Sequence, residues 1–412
     1  MPTDPATRQI WFINAAHFVC HYVLLILATA VLGMVATNGA TFGAEYGPVL
    51  ALGTGMFVLY GIGALPMGWL AEKVGRQALM TAFFLGVGGS LLLAGFVSSP
   101  WSLAAALALA GLFNAIYHPI GTAMLVEAAG DRVGRAMGNN GVFGNLGVAS
   151  APVLTALLVA QAGWRWAFLV PAVAVLLLGL MWLREPHYDA RQHVKNTRPF
   201  PQIPPAVVRQ AVISLMLMAV ASGFVFNAFT LLIPKLMQER MADSPSLLPL
   251  VGALAFTATL FGGLTQFTVG RMIDRTTLKR VFLPLAFALV PALLALSFLQ
   301  GWAVLPVAAI AAAAIFGQVT VNETMTARYV APTLRAKLYS LRFFVGFLGA
   351  AAASPAIGYL HDTFGNLGLT LIVLAAFACI TFACALLFPD RPEELNPALW
   401  NGGTATPAVA AE

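Results

Sequence analysis

The sequence predicts an all-α integral membrane protein, with 12 transmembrane helices in two pseudo-symmetric six-helix bundles. The first observation is composition. The 412 residues are 59% hydrophobic and 9% charged, with a mean hydropathy of +0.84. Soluble domains carry about 25% charged residues, so there is too little charge here to coat a water-facing surface and lipid is the expected solvent. The second is a series of apolar segments, each long enough to cross a bilayer. The third is a near-repeat: Gly68-Trp69-Leu70-Ala71-Glu72-Lys73-Val74-Gly75-Arg76 follows one apolar segment, and Gly270-Arg271-Met272-Ile273-Asp274-Arg275 through Arg280 follows another about half a chain later.

The polar stretch Met1 to Gln9 precedes an apolar run too long for a signal-peptide core, so it is read as the start of a retained span. Spans are expected near 10–36, 47–71, 77–97, 101–126, 135–160 and 164–183, then near 210–235, 247–269, 280–299, 302–327, 338–360 and 366–388. Six lie on each side of a polar, proline-rich stretch, so the expected organisation is an N-terminal bundle over 1–184, a linker over 185–208, a C-terminal bundle over 209–390 and a tail over 391–412. Placing the N-terminus in the cytoplasm puts 19 of the 22 lysines and arginines inside, leaving only Arg165, Lys235 and Arg240 outside. The positive-inside rule therefore puts both termini in the cytoplasm. The +6 charge is a topology signal, and nucleic acid is not an expected partner. Cys20, Cys379 and Cys384 all fall in apolar stretches and imply no disulfide framework.

The repeat extends further. Arg132-Val133-Gly134-Arg135 parallels Leu334-Arg335-Ala336-Lys337, and Gly147 to Pro152 parallels Gly349 to Pro355, at offsets of 200–203 residues. The pattern resembles the major facilitator superfamily, whose two six-helix halves are related by an axis along the membrane normal. Gly68, Glu72, Gly75 and Arg76 resemble its loop between the second and third helices, with Glu72 where Asp is usual. Three stretches resemble the fosmidomycin-resistance-like branch more narrowly: His17-Phe18 with Tyr22, Tyr117-His118-Pro119, and Gly144-Asn145-Leu146-Gly147 with Ala151-Pro152. That branch commonly has Asp at the place of His21 and an acid where this chain has Ile120.

Several residues follow as site candidates. The resemblance implies that the first, fourth, seventh and tenth helices line a central cavity. Their polar residues are Asn14, His17 and His21; Asn114, Tyr117 and His118; Asn227 and Thr230; Gln318 and Asn322. Asn14, His17 and His21 stand at steps of three and four, on one helix face. Polar groups at this depth are costly, so they either line the cavity or bond a neighbouring helix backbone. His21, His17, His118 and Glu323 are the candidates for proton coupling, Glu323 alternatively being an ion-pair partner of Arg328 or Arg342. A gating loop is expected from Gly68, Glu72, Gly75 and Arg76, with Glu72 pairing to Arg132 or Arg135 and Asp274 in the degenerate copy. The alternative is a loop that sets topology only. Gly138, Gly141, Gly144 and Gly147 form a small-residue stripe, read in the resembled drug–proton antiporters as an antiport signature and otherwise as helix packing. Trp164-Arg165-Trp166 reads as an interfacial anchor. His17, Cys20 and His21 invite a metal reading, but no carboxylate stands near them and no metal site is expected.

No nucleotide-binding loop, serine nucleophile string or paired-acid arrangement occurs, so no ATP or other cofactor and no enzymatic activity are expected. The expected protein is a monomeric secondary transporter of the inner membrane. It moves a small organic solute by alternating access, as proton-coupled export in drug or metabolite antiport. The alternatives are uptake of a nutrient, siderophore or metal complex by the same fold, and a non-transporting membrane sensor.

Overall fold

The computed structural model describes residues 4–129, 133–185, 201–241, 247–396 and 399–400. Among them the chain is helical throughout its ordered elements. Eleven helices are long and apolar enough to cross a membrane, and the shorter Trp166–Trp182 completes twelve.

In order, α1 is Pro5–Phe42, and α2 is built in three pieces, Tyr46–Ala51, Thr54–Ala64 and Met67–Val74. Then come α3 (Arg76–Phe96) and α4, made of Pro100–Asn114, a π-helical turn over Tyr117–Gly121, and Thr122–Ala129. α5 is Val133–Ala162, α6 Trp166–Trp182, α7 Pro205–Met241, α8 Leu248–Ile273 and α9 Leu278–Leu296. The last are α10 (Val304–Tyr329), α11 (Pro332–Phe364) and α12 (Gly368–Leu387).

Local chemistry explains where these helices start and break. Asp4 caps α1 by accepting from Thr7 N at 2.9 Å, with Pro5 at the first helical position. Ser99 and Ser102 form a reciprocal capping box ahead of α4. The second span, expected as one helix over 47–71, is interrupted at Leu52–Gly53 and at Leu65–Pro66; at the second break Pro66 supplies no N–H to continue the ladder. Pro119 has the same effect in α4, where the missing N–H is absorbed by the π-helical turn. α7 begins at Pro205, inside the stretch expected to be linker, and α11 begins at Pro332, ahead of the expected 338; both start on a helix-initiating proline.

The packing of the first six helices repeats in the last six. α1 lies on α5 as α7 lies on α11; α2 on α4 as α8 on α10; and α3 on α6 as α9 on α12. Across the molecule α2 meets α11 and α5 meets α8, again a symmetric pair. Many large apolar side chains stay on the outside, such as Trp101 at 83% exposure and Phe96 at 72%. A surface of this kind fits a hydrocarbon solvent and not water.

The interface between the halves is uneven along its length. Toward the α1–α2 turn, the backbones of Gly47 and Gly358 approach so closely that a Cβ on Gly47 would sit 2.7 Å from Gly358 O. Ser354 Oγ donates to Leu50 O at 2.9 Å on the same side. Further in, Asn145 Nδ2 donates to Gln266 Oε1, joining α5 to α8. Toward the α2–α3 turn, Cβ atoms on Gly68, Gly138, Gly141 or Gly270 would meet nothing within 4 Å. The close contacts between the halves thus gather toward the Gly43 end, while the glycines of α2, α5 and α8 near the Gly75 end face open space.

Candidate functional site

Between those ends, and nearer the Gly75 end, α1, α4 and α5 bring a set of polar side chains together. His17 and His21 share one face of α1, with their Nε2 atoms 3.1 Å apart. The π-helical turn of α4 sets His118 against them, its ring centroid 5.4 Å from that of His17 and 5.5 Å from that of His21. His17 Nδ1 lies 2.7 Å from the backbone oxygen of Asn140 in α5. A carbonyl only accepts, so Nδ1 carries the proton and a neutral His17 presents an Nε2 lone pair to the cluster.

Asn140 is the hub, and the sequence reading missed it. Its Nδ2 donates to Asn14 Oδ1 at 2.9 Å, and its Oδ1 accepts from Tyr117 Oη at 3.1 Å. The Tyr117 ring stacks on His17 with centroids 4.9 Å apart. The glycine stripe of α5 makes this proximity possible. A Cβ on Gly144 would lie 2.6 Å from His17 Nε2, and one on Gly147 would lie 2.3 Å from Phe18 O. The one available signal was Asn139-Asn140 in a predicted membrane span, where an amide is costly unless paired.

The remaining candidates divide between a narrow cleft and the helix packing. Asn114 is fully buried and donates to Cys20 O at 2.8 Å, tying α4 to the α1 backbone. Cys20 Sγ lies 3.1 Å from Tyr60 Oη, turned away from the histidines. Asn227 and Thr230 bond back to carbonyls of their own helix, α7, and with His21 they line a narrow cleft floored by Phe57 and Phe226. Gln318 is fully buried, and its amide has no hydrogen-bond partner among the described residues; the same holds for Asn322 Oδ1. Phe343 of α11 stacks on His118 at 5.1 Å, closing the cluster from the other half.

Glu72 is exposed and has no ion-pair partner among the described residues; Arg132 and the side chain of Arg135 lie outside them. Arg76 instead pairs with Glu127 at the end of α4. Lys73 sits 3.8 Å over the Trp69 ring. Gly75 takes φ +83°, which a residue with a side chain rarely adopts, at the joint between α2 and α3. Asp274 is exposed at the end of α8. Glu323 faces Arg342 at 3.6 Å, the ion-pair alternative, while Arg328 turns to Glu394 at 3.2 Å. The expected anchor Trp164-Arg165-Trp166 is split. Trp164 is buried and donates to Asn38 Oδ1 at 3.1 Å, whereas Trp166 is 48% exposed.

The Gly43 end carries a polar latch that sequence reasoning did not find. His361 Nε2 lies 2.8 Å from Glu239 Oε1, and its Nδ1 lies 2.9 Å from Asp362 Oδ1. Asp362 Oδ2 also accepts from Gly47 N at 2.9 Å, crossing from α11 to α2. Lys235 adds a second charge 3.8 Å from Glu239.

Two pseudo-symmetric six-helix halves are the architecture of a class of membrane transporters. Residues 17–317 and 215–410 match the family model of the Major Facilitator Superfamily, and the chain belongs to that family of multi-pass membrane transporters. It is 27% identical over 361 residues to the uncharacterized MFS-type transporter YfnC of Bacillus subtilis (strain 168), covering 79% of this chain and 80% of that one. It is 22% identical over 241 residues to the multidrug resistance protein MdtG of Serratia proteamaculans (strain 568), covering 57% of each. Among solved structures it resembles a bacterial homolog to the human lysosomal transporter Spinster, inward-facing and unoccupied. The TM-score is 0.67 at 14% identity, over 94% of this chain and 95% of the other.

Proposed function

We propose that the chain is a proton-coupled exporter of a small organic solute, working as a drug or metabolite antiporter by rocking of two bundles, 1–184 and 209–390, about the central cluster. The observation that carries this is the cluster itself: three imidazoles from α1 and α4, the side chains that ordinarily titrate near neutral pH, gathered within the membrane-spanning helices between the two ends. Neutral polar groups and imidazoles, with the buried amide of Gln318 in α10 left without a partner among the described residues, suit an organic cargo with hydrogen-bonding groups over a strongly ionic one.

The likeness to the MdtG proteins and the resemblance to the fosmidomycin-resistance-like branch support export. The lysine and arginine bias supports an inner-membrane protein with both termini cytoplasmic, so the closed Gly43 end faces outward and the open Gly75 end inward. Each proton entering down a potential of 100 mV releases about 2.3 kcal/mol. The loop of Gly68, Glu72, Gly75 and Arg76 serves as the inner gate, with Arg76 held to Glu127 in the open state and Glu72 left for a partner across the closing cleft.

The test is flux in proteoliposomes. A thermal-shift screen against antibiotics and metabolites identifies a cargo, and its transport is then followed under an imposed pH gradient. Gradient-driven flux is expected to fall in His21→Ala, His17→Ala and His118→Ala, with counterflow exchange partly retained. Unchanged coupling in all three overturns the assignment of the protonatable group; no gradient dependence in the unmodified protein overturns antiport.

A further inference from the structure

The three histidines have a geometry that proton carriage does not require. Their ring nitrogens approach so that one atom from each lies within 4.8 Å of the others. We propose that His17, His21 and His118 form a three-nitrogen site for one divalent transition-metal cation of the zinc, nickel and copper class. Neutral imidazole is the ligand these ions favour.

Reading α1 alone makes the metal pairing His17, Cys20 and His21, with no third nitrogen. The fold replaces Cys20, held by Tyr60, with His118 from the π-helical turn of α4. Metal-binding histidines almost always donate their second ring N–H to a carbonyl or carboxylate, which fixes the tautomer and aims the free nitrogen. His17 Nδ1 does this to Asn140 O at 2.7 Å. Its Nε2 then lies 3.1 Å from His21 Nε2. Two nitrogens on a tetrahedral ion at about 2.0–2.1 Å stand roughly 3.3 Å apart, so that pair is already spaced for coordination, and the His118 nitrogen, within 4.8 Å of both, closes in on the ion to complete the triad. A carboxylate is not needed: three neutral histidines with a water or anion in the fourth position are a sufficient zinc set.

The proposal concerns binding and does not depend on the direction or cargo of transport. Its test is titration of the purified, tag-free protein in detergent with Co2+ alone and then Zn2+ alone, read by visible absorption and calorimetry. One ion per chain is expected, with the intense bands of four-coordinate Co2+ and their loss when Zn2+ is added. Affinity should fall at least tenfold in His21→Ala and in His118→Ala. It should fall also in Gly144→Ala, which removes no ligand but puts a Cβ 2.6 Å from His17 Nε2. His361→Ala, at the other end of the molecule, should bind as the unmodified protein does. Where a variant does not fold, the Co2+ spectrum of the unmodified protein decides alone. Weak six-coordinate bands, or variants that bind as tightly as the parent, overturn the site. Because no flux is measured, failure here leaves the transport reading standing, and a failed flux assay leaves the site standing.

Discussion

Asn140 shows how much one amide holds in this interior. It bonds Asn14 and Tyr117 while its backbone oxygen receives His17. Asn140→Ala strips the side-chain partners and leaves a buried amide and a hydroxyl unpaired, at a cost of about 1–3 kcal/mol. A lower melting temperature in detergent checks this, and the expected drop exceeds that of Asn139→Ala, which is exposed. The glycine stripe gives a sharper contrast. Gly147→Ala drives a methyl to 2.3 Å from Phe18 O, a backbone atom that cannot turn aside. A destabilisation of about 1–3 kcal/mol follows. Gly138→Ala meets open space and gains helix propensity, stabilising by about 0.5–1 kcal/mol. Equal melting shifts would refute the assignment of Gly144 and Gly147 to the α1 contact. His17, His21 and His118 were legible in the sequence because an imidazole in an apolar run is costly and helical spacing puts two of them on one face. Asn140 was not, because two of its partners, Asn14 and His17, lie over 120 residues away and its helix drew attention only for its glycines.

At the scale of elements, the ends of helices hold what the apolar pattern leaves out. Charge is cheap near a membrane surface, so nothing in the composition singles out Glu239, His361 and Asp362; only the tertiary fold brings α7, α11 and α2 together there. Asp362→Asn weakens the bond to Gly47 N and the contact to His361, by about 1 kcal/mol in a partly exposed setting. The expected result is a several-fold larger population open at the Gly43 end, measured as spin-label distances between α2 and α11. An unchanged distance distribution would reduce the latch to ordinary loop packing. Beyond α12, Glu394 plugs the ends of α9 and α10: it accepts from Leu278 N at 2.8 Å, from Arg328 Nη1 at 3.2 Å and from Tyr329 Oη. Burial pushes its carboxyl above the ordinary value, outweighing the hydrogen bonds and Arg328 that act the other way. The folded state then binds this proton more tightly than the unfolded one. Its contribution is fully present below the unfolded value of 4.5 and is lost as pH rises through the raised folded value. Glu394→Gln should remove that decline, seen as a flatter denaturation midpoint as pH rises above 4.5. A midpoint that falls as steeply in the variant would rule this carboxyl out as its source.

At the scale of the molecule, the twelve spans and the two-fold repeat were readable because lipid imposes long apolar helices and duplication preserves spacing. The interruptions of α2 and α4 were not assigned, although Pro66 and Pro119 mark both. A proline inside an apolar run only states that a hydrogen bond is lost; the surrounding helices decide whether the chain breaks, bends or widens into a π turn. Nor does hydropathy contain the difference between the two ends, since Gly47 and Gly138 are both glycines in apolar helices and only packing separates them. That difference makes the last prediction. Cys20 and Cys384 are buried, so a Cys379→Ala background leaves no exposed native thiol among the described residues. In it, Gly138→Cys lies on the open face of α5, and Ser354→Cys, a near-isosteric change, lies buried where α11 meets α2. A water-soluble maleimide should modify the first readily and the second hardly at all. A cargo or pH gradient that favours the opposite state should exchange the two rates, as two bundles rocking about the histidine cluster require. If both positions open and close together, the halves breathe as a pore and do not alternate.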